Sequence, residues 1–146
     1  MESEYLSLLR QFHAASVEYV VVGGYAVVAH GHLRTTGDID LFVNPAPANA
    51  HRVVAALEAY GFEPGEFEEQ DFTTVPNFLS FSRADVWIDL LTEVRGVSFA
   101  EATAQALTVE WDGLPVRYIG LAALRRAKAA SARPQDLLDL ENLPLA

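Results

Sequence analysis

A β-branched run, VEYVVV at 17–22, stops at the diglycine Gly23-Gly24, and a second apolar run resumes in DIDLFV at 38–43 with aspartates at its head. This spacing limits the fold more than any other feature of the chain. Each run reads as a buried strand from its β-branched content. The segment between them has room for one short helix, YAVVAHGHL at 25–33, and a turn at Thr36-Gly37. Two buried strands so close in sequence predict a sheet that helices must cover.

The flanking sequence supplies that cover. Tyr5, Leu8, Leu9 and Phe12 recur at helical spacing over 3–15, as do Val53, Val54, Leu57 and Tyr60 over 48–60, with Gly61 beyond the end. The acidic, turn-rich stretch 61–72 reads as a loop. Strands are predicted at 77–82 and 84–92, joined as a hairpin through Ser82-Arg83. Ser98 and Glu101 stand at capping-box spacing at the head of a helix over 98–106. Asp112-Gly113 between two alternating runs marks a second hairpin, and helices follow at 121–132 and from Pro134. The pattern is α/β (α+β): a mixed sheet flanked by helices, expected as one domain over 1–146.

Composition narrows the function classes. With 51% hydrophobic and 21% charged residues the chain can build a real core. It has no cysteine, which excludes disulfides, thiolate metal sites and a cysteine nucleophile. MESEYLSLLR lacks the basic start and apolar run of a secretory signal, and no apolar stretch reaches the roughly 20 residues of a membrane span. A cytoplasmic location without membrane contact is the expectation. The formal net charge of -10 makes nucleic acid the less favoured partner, since the basic run Arg125 to Lys128 reads as a helix face. His13, His30, His32 and His51 show no metal-binding spacing and are assigned structural roles.

Asp38 and Asp40 are two residues apart on a predicted strand, so their side chains leave one face. Like charges held this close raise one another's pKa unless something neutralises them. Hard cations such as Mg²⁺ take one or two carboxylates plus substrate phosphates, so the pair reads either as a metal seat or as two solvated carboxylates at a strand edge. Asp89 interrupts the apolar run VWIDLL, where an unpaired buried carboxylate would cost several kcal/mol. It needs a partner: a strand pairing beside DIDLFV would bring it to the other two, and the alternative is a structural ion pair or a place at a sheet edge. The diglycine reads either as a tight turn or as a place where a phosphate approaches the backbone.

Taken together, GGYAVVAHGHLRTTGDIDLFV resembles the signature of nucleotidyltransferases of the DNA polymerase beta superfamily. The similarity is greatest to its minimal branch, the small antibiotic-modifying enzymes and the nucleotidyltransferases of toxin-antitoxin systems. It runs from Val17 to Val43, recurs at VWIDLLT and, more loosely, at KAASARPQDLLDL. The resemblance implies the nucleotidyltransferase fold, with Gly23 and Gly24 at the triphosphate, Asp38 and Asp40 holding two Mg²⁺ ions (Mn²⁺ as the alternative), and Asp89 as third carboxylate, a ligand of one of them near the attacking hydroxyl. Many such enzymes carry serine where Gly24 stands. Arg34 and Thr35 lead into the aspartates, Arg34 reaching either a phosphate or an ion-pair partner. Lys128 shares a helical face with Leu121 and Leu124, so its ammonium either points inward, toward the triphosphate, or snorkels to solvent. Arg133, Asp136 and Asp139 complete the tail pattern.

The activity implied is transfer of a nucleoside monophosphate from a nucleoside triphosphate such as ATP to an acceptor hydroxyl on a small molecule, a protein or RNA. So short a chain leaves little room for an acceptor-binding domain, so a homodimer or toxin-antitoxin partner is a further expectation. The rival reading is a non-catalytic or antitoxin-type module on the same scaffold that binds a partner protein.

Overall fold

The computed structural model describes residues 3–146, and among them stand seven helices and six strands. Helix α1 (Glu4–Ala14) starts where the Ser3 hydroxyl accepts the Leu6 N–H at 3.2 Å. Strand β1 (Tyr19–Val22) runs into α2 (Gly23–Ala29), so the diglycine forms the first turn of that helix rather than a turn ahead of it. Strand β2 (Ile39–Val43) begins one residue after Asp38, and α3 (Pro47–Tyr60) follows.

The stretch read as a loop contains the start of a helix, α4 (Glu69–Thr73). Phe72 is fully buried there, and the Asp71 carboxylate accepts the Glu68 N–H at 2.9 Å. Five residues are too few to show a period, which is why the sequence pattern hides it. The first hairpin joins β3 (Phe78–Arg83) to β4 (Val86–Leu91). Its turn is Ala84-Asp85, not Ser82-Arg83: both turn residues have positive φ, 51° and 65°, as a two-residue primed turn requires. The capping box of α5 (Phe99–Thr103) forms as expected, with Ser98 and Glu101 exchanging hydrogen bonds at 3.0 and 3.1 Å. Asp112-Gly113 turns β5 (Leu107–Trp111) into β6 (Leu114–Tyr118), and α6 (Leu121–Ser131) and α7 (Pro134–Asn142) close the chain.

The strands form one mixed sheet in the order β3-β4-β2-β1-β6-β5. Strand β2 lies antiparallel to β1 and parallel to β4, so the N-terminal ends of β2 and β4 open on the same edge as the C-terminal end of β1. Alternation then separates two faces. Ile39, Leu41, Ile88 and Leu90 are fully buried on the side covered by α1, α3 and α4, each worth about 1.5–3 kcal/mol of apolar burial. On the other side the Phe42 ring meets Phe99 of α5 edge-on, with centroids 5.2 Å apart. Asp40 and Asp89 share that second face. No helix among the described residues is long and apolar enough to cross a membrane.

Candidate active site

The carboxylates are brought together by register. In the parallel β2–β4 pair Asp40 stands opposite Asp89, and in the β3–β4 hairpin Asp89 stands opposite Ser80. The Ser80 hydroxyl donates to Asp89 Oδ1 at 2.6 Å. Asp38, exposed and just ahead of the strand, lines the same cleft as Asp40 and Asp89. Asp89 is only 6% exposed, so the neighbouring carboxylates feel it strongly. Burial first, then the hydrogen bond and charge of Asp89, push the Asp40 carboxyl up to about 8; burial and Asp89 raise Asp38 as well. Asp40 therefore keeps its proton at neutral pH unless a cation replaces it.

The diglycine has a structural reason at each position. Gly23 sits at φ 68°, where a side chain is strained, and any Cβ there would run into Asp40 Oδ2. At Gly24 a Cβ would lie 2.8 Å from the Thr36 Cβ and 3.3 Å from Arg34 Nη1. The backbone therefore passes directly against the site's side chains. Gly23, Gly24, Asp40 and Asp89 line one cleft of about 630 Å³, a size that accommodates a nucleotide. A recess of about 170 Å³ adjoins it past Gly23 and Asp40, with Val22, Ile119 and Leu124 in its wall.

The cleft's far wall is an ion-pair network from α6 and α7. Lys128 is 7% exposed and takes the inward alternative, but its ammonium is already engaged, 3.2 Å from Asp136 and 2.9 Å from Asp139. Arg34 grips Asp139 with two hydrogen bonds at 2.8 and 3.0 Å, taking the ion-pair alternative. Arg133 holds Asp136 at 2.8 Å, and the Gln135 amide donates to Asp139 at 2.9 Å. Burial alone would raise both carboxyls; hydrogen bonds from Arg133 and Lys128 on Asp136, and from Arg34, Lys128 and Gln135 on Asp139, outweigh it and hold them below their usual value. The network sets three cations against two carboxylates, and the surplus positive charge faces the aspartates.

Over residues 1–144 the chain matches the family described as nucleotidyl transferase of unknown function (DUF2204). The chain belongs to this nucleotidyl transferase family. No curated protein sequence matches it. Among solved structures it is similar to TM1012 of Thermotoga maritima, a protein provisionally titled a nucleotidyltransferase. The TM-score is 0.62 at 16% identity, covering 94% of this chain and 91% of that one. At that identity the likeness speaks for the fold, and it agrees with the mixed, helix-flanked sheet of a nucleotidyltransferase.

Within this family member the residues singled out from sequence gather at one place, with differences of detail. Gly23, Gly24, Arg34, Asp38, Asp40, Asp89, Lys128, Arg133 and Asp136 line the large cleft, and Asp139 anchors its wall from beneath. Thr35 does not line it: its side chain is exposed and its carbonyl accepts from Arg34 Nη1 at 3.0 Å. Thr36 lines the cleft instead. Sequence reasoning also missed Ser80 and Gln135. The histidines are elsewhere: His13 meets the Tyr19 hydroxyl at 2.9 Å, His30 the Ile119 carbonyl at 2.7 Å, and His51 pairs with Glu69 on the surface.

The donor set can be tested against a divalent cation. It consists of carboxylate oxygens only, which suits a hard ion, and burial beside Asp89 raises the Asp40 carboxyl, so a cation there relieves the crowded charge. Among the described residues no three His, Cys, Asp or Glu side chains are arranged to enclose an ion. The fit is thus to an ion held by one or two carboxylates and completed by substrate phosphates, the usual habit of Mg²⁺.

Proposed function

We propose that this chain transfers a nucleoside monophosphate from a nucleoside triphosphate to an acceptor hydroxyl in a divalent-cation-dependent reaction, releasing pyrophosphate. The observation that carries the reading is the register that sets Asp40 opposite Asp89, with Asp38 beside them, in a cleft floored by Gly23 and Gly24 and walled by cations. Asp38 and Asp40 would hold Mg²⁺ or Mn²⁺, which when bound neutralises the phosphates and their developing charge. The acceptor oxygen forms a bond to the α-phosphorus as the bond to the bridging oxygen breaks and pyrophosphate departs. Asp89, oriented by Ser80, receives the proton of the attacking hydroxyl. The excess cation of the Arg34, Lys128 and Arg133 network favours the polyanion, and positioning with electrostatics carries the catalysis.

The acceptor reaches Asp89 across the β3–β4 face. Phe78 and Trp87 lie on that face and are 57% and 50% exposed, which supports an acceptor with an apolar surface. The test is pyrophosphate release from each nucleoside triphosphate with Mg²⁺ over a panel of phenolic, sugar and RNA acceptors. Asp40→Asn is expected to abolish release while the far-UV circular dichroism stays native; full activity in that variant sinks the assignment.

The same exposed aromatics, with the net charge of -10, support a second reading as an antitoxin-type module that binds a basic partner protein. Under that reading Asp40→Asn leaves partner binding intact, whereas Phe78→Ala or Trp87→Ala weakens it.

A further inference from the structure

Thr36 lies in the segment that connects α2 to β2, and its half-buried side chain lines the large cleft beside Gly24. Its hydroxyl occupies the space into which any side chain at Gly24 would project. Among the described residues nothing donates to or accepts from that hydroxyl. The contrast with its surroundings is informative, because the other polar side chains of this wall are engaged: Arg34 with Asp139 and the Thr35 carbonyl, Gln135 with Asp139, Lys128 with both buried carboxylates. The Arg34–Asp139 pair and the Tyr5 hydroxyl, which donates to the Gly37 carbonyl at 2.8 Å, tie down the segment that carries Thr36, so its hydroxyl is presented to the cleft by an anchored backbone.

The chemistry around it favours an anion. Gly24 is buried beneath the Thr36 side chain, and Arg34 Nη1 stands 3.3 Å from the position a Gly24 Cβ would take, so hydroxyl and guanidinium are neighbours in the cleft wall. A hydroxyl donor and a guanidinium side by side in the wall of the cleft suit a phosphate oxygen. We infer that Thr36 is a phosphate-binding residue, its hydroxyl donating to a non-bridging oxygen of the triphosphate bound in the cleft. The inference rests on the nucleotidyl-transfer reading above, and it assigns to Thr36 the donor that Gly24 cannot provide.

The test is calorimetric titration of the full chain, with Mg²⁺, using inorganic tripolyphosphate and a non-hydrolysable ATP analogue as probes. Thr36→Val keeps the volume that fills the space at Gly24, so its thermal midpoint is expected to match the native chain. Its affinity for both probes is expected to fall about 10- to 100-fold, the loss of one hydrogen bond to a charged group. Thr36→Ser restores the hydroxyl and should bind close to native. Thr36→Val binding as tightly as the native chain, or Thr36→Ser as weak as Thr36→Val, overturns the inference while leaving the nucleotide site standing. A native chain that binds neither probe overturns the nucleotide site itself and this inference with it.

Discussion

Asp40 and Asp89 face each other across two parallel strands, and the raised carboxyl that this arrangement gives Asp40 is the clearest physical signature of the site. Its carboxyl is raised from 3.8 to about 8, so the folded chain holds a proton there that the unfolded chain releases. The stability tied to that protonated carboxyl is complete below about pH 4 and is lost as pH rises through about 8. Metal-free protein should therefore lose thermal stability between these limits, and Asp40→Asn should flatten the slope. Mg²⁺ competes with the proton, so the rise in melting temperature that it produces should be larger at pH 8 than at pH 6. Scanning calorimetry across this range, with and without Mg²⁺, checks both statements.

Lys128 sits between two almost wholly buried carboxylates, Asp136 and Asp139. Lys128→Met keeps the volume and removes the charge that both share, so it should cost about 3–5 kcal/mol in denaturant unfolding. Because both carboxyls are held below 3.8, the stability they supply is present above that value and is lost as pH falls through their lower folded values. The native chain should therefore show an acid transition that Asp136→Asn/Asp139→Asn shifts.

Gly23→Ala meets two obstacles, a left-handed backbone worth about 1–2 kcal/mol and the Asp40 carboxylate in the way of the methyl group. Gly37→Ala meets neither, since open space surrounds Gly37. Equilibrium unfolding should rank the first variant well below the native chain and the second level with it. Equal stability of the two variants would contradict the close approach of Gly23 to Asp40.

Ser80→Ala removes the donor that orients Asp89 and leaves a buried carboxylate oxygen without it. A loss of about 1–3 kcal/mol in unfolding free energy is expected. Under the proposed reaction the variant should also lower kcat more than KM for the nucleotide, because Asp89 acts on the acceptor.

The order of strands and helices was legible because the chain's periods and turn residues agree with its tertiary fold. Ser98 with Glu101, Asp112-Gly113 and Pro134 each act locally and were found where the pattern placed them. The three aspartates were legible because an acid in an apolar strand needs a reason. Ser80 was not, and the cause is one misplaced turn. A turn at Ser82-Arg83 faces Asp89 with Pro76, whereas the true turn at Ala84-Asp85 faces it with Ser80. Neither Ala84 nor Asp85 is a glycine, so the left-handed pair gave no signal. Thr35 was chosen over Thr36 for a similar reason: in an irregular segment no period tells which of two adjacent threonines faces the cleft. The pairing of Lys128 with Asp136 and Asp139 joins separate helices, and nothing in sequence spacing fixes which cation meets which carboxylate.

The central claim, that the aspartates form a nucleotide site completed by a cation, is tested most directly by calorimetric titration with a non-hydrolysable ATP analogue, and in turn with the analogues of the other nucleotides, with and without Mg²⁺. Native chain and Asp38→Asn/Asp40→Asn are compared. The account predicts binding that requires Mg²⁺ in the native chain and vanishes in the double variant. Binding to no nucleotide, or binding that is indifferent to both the cation and the two aspartates, would contradict it.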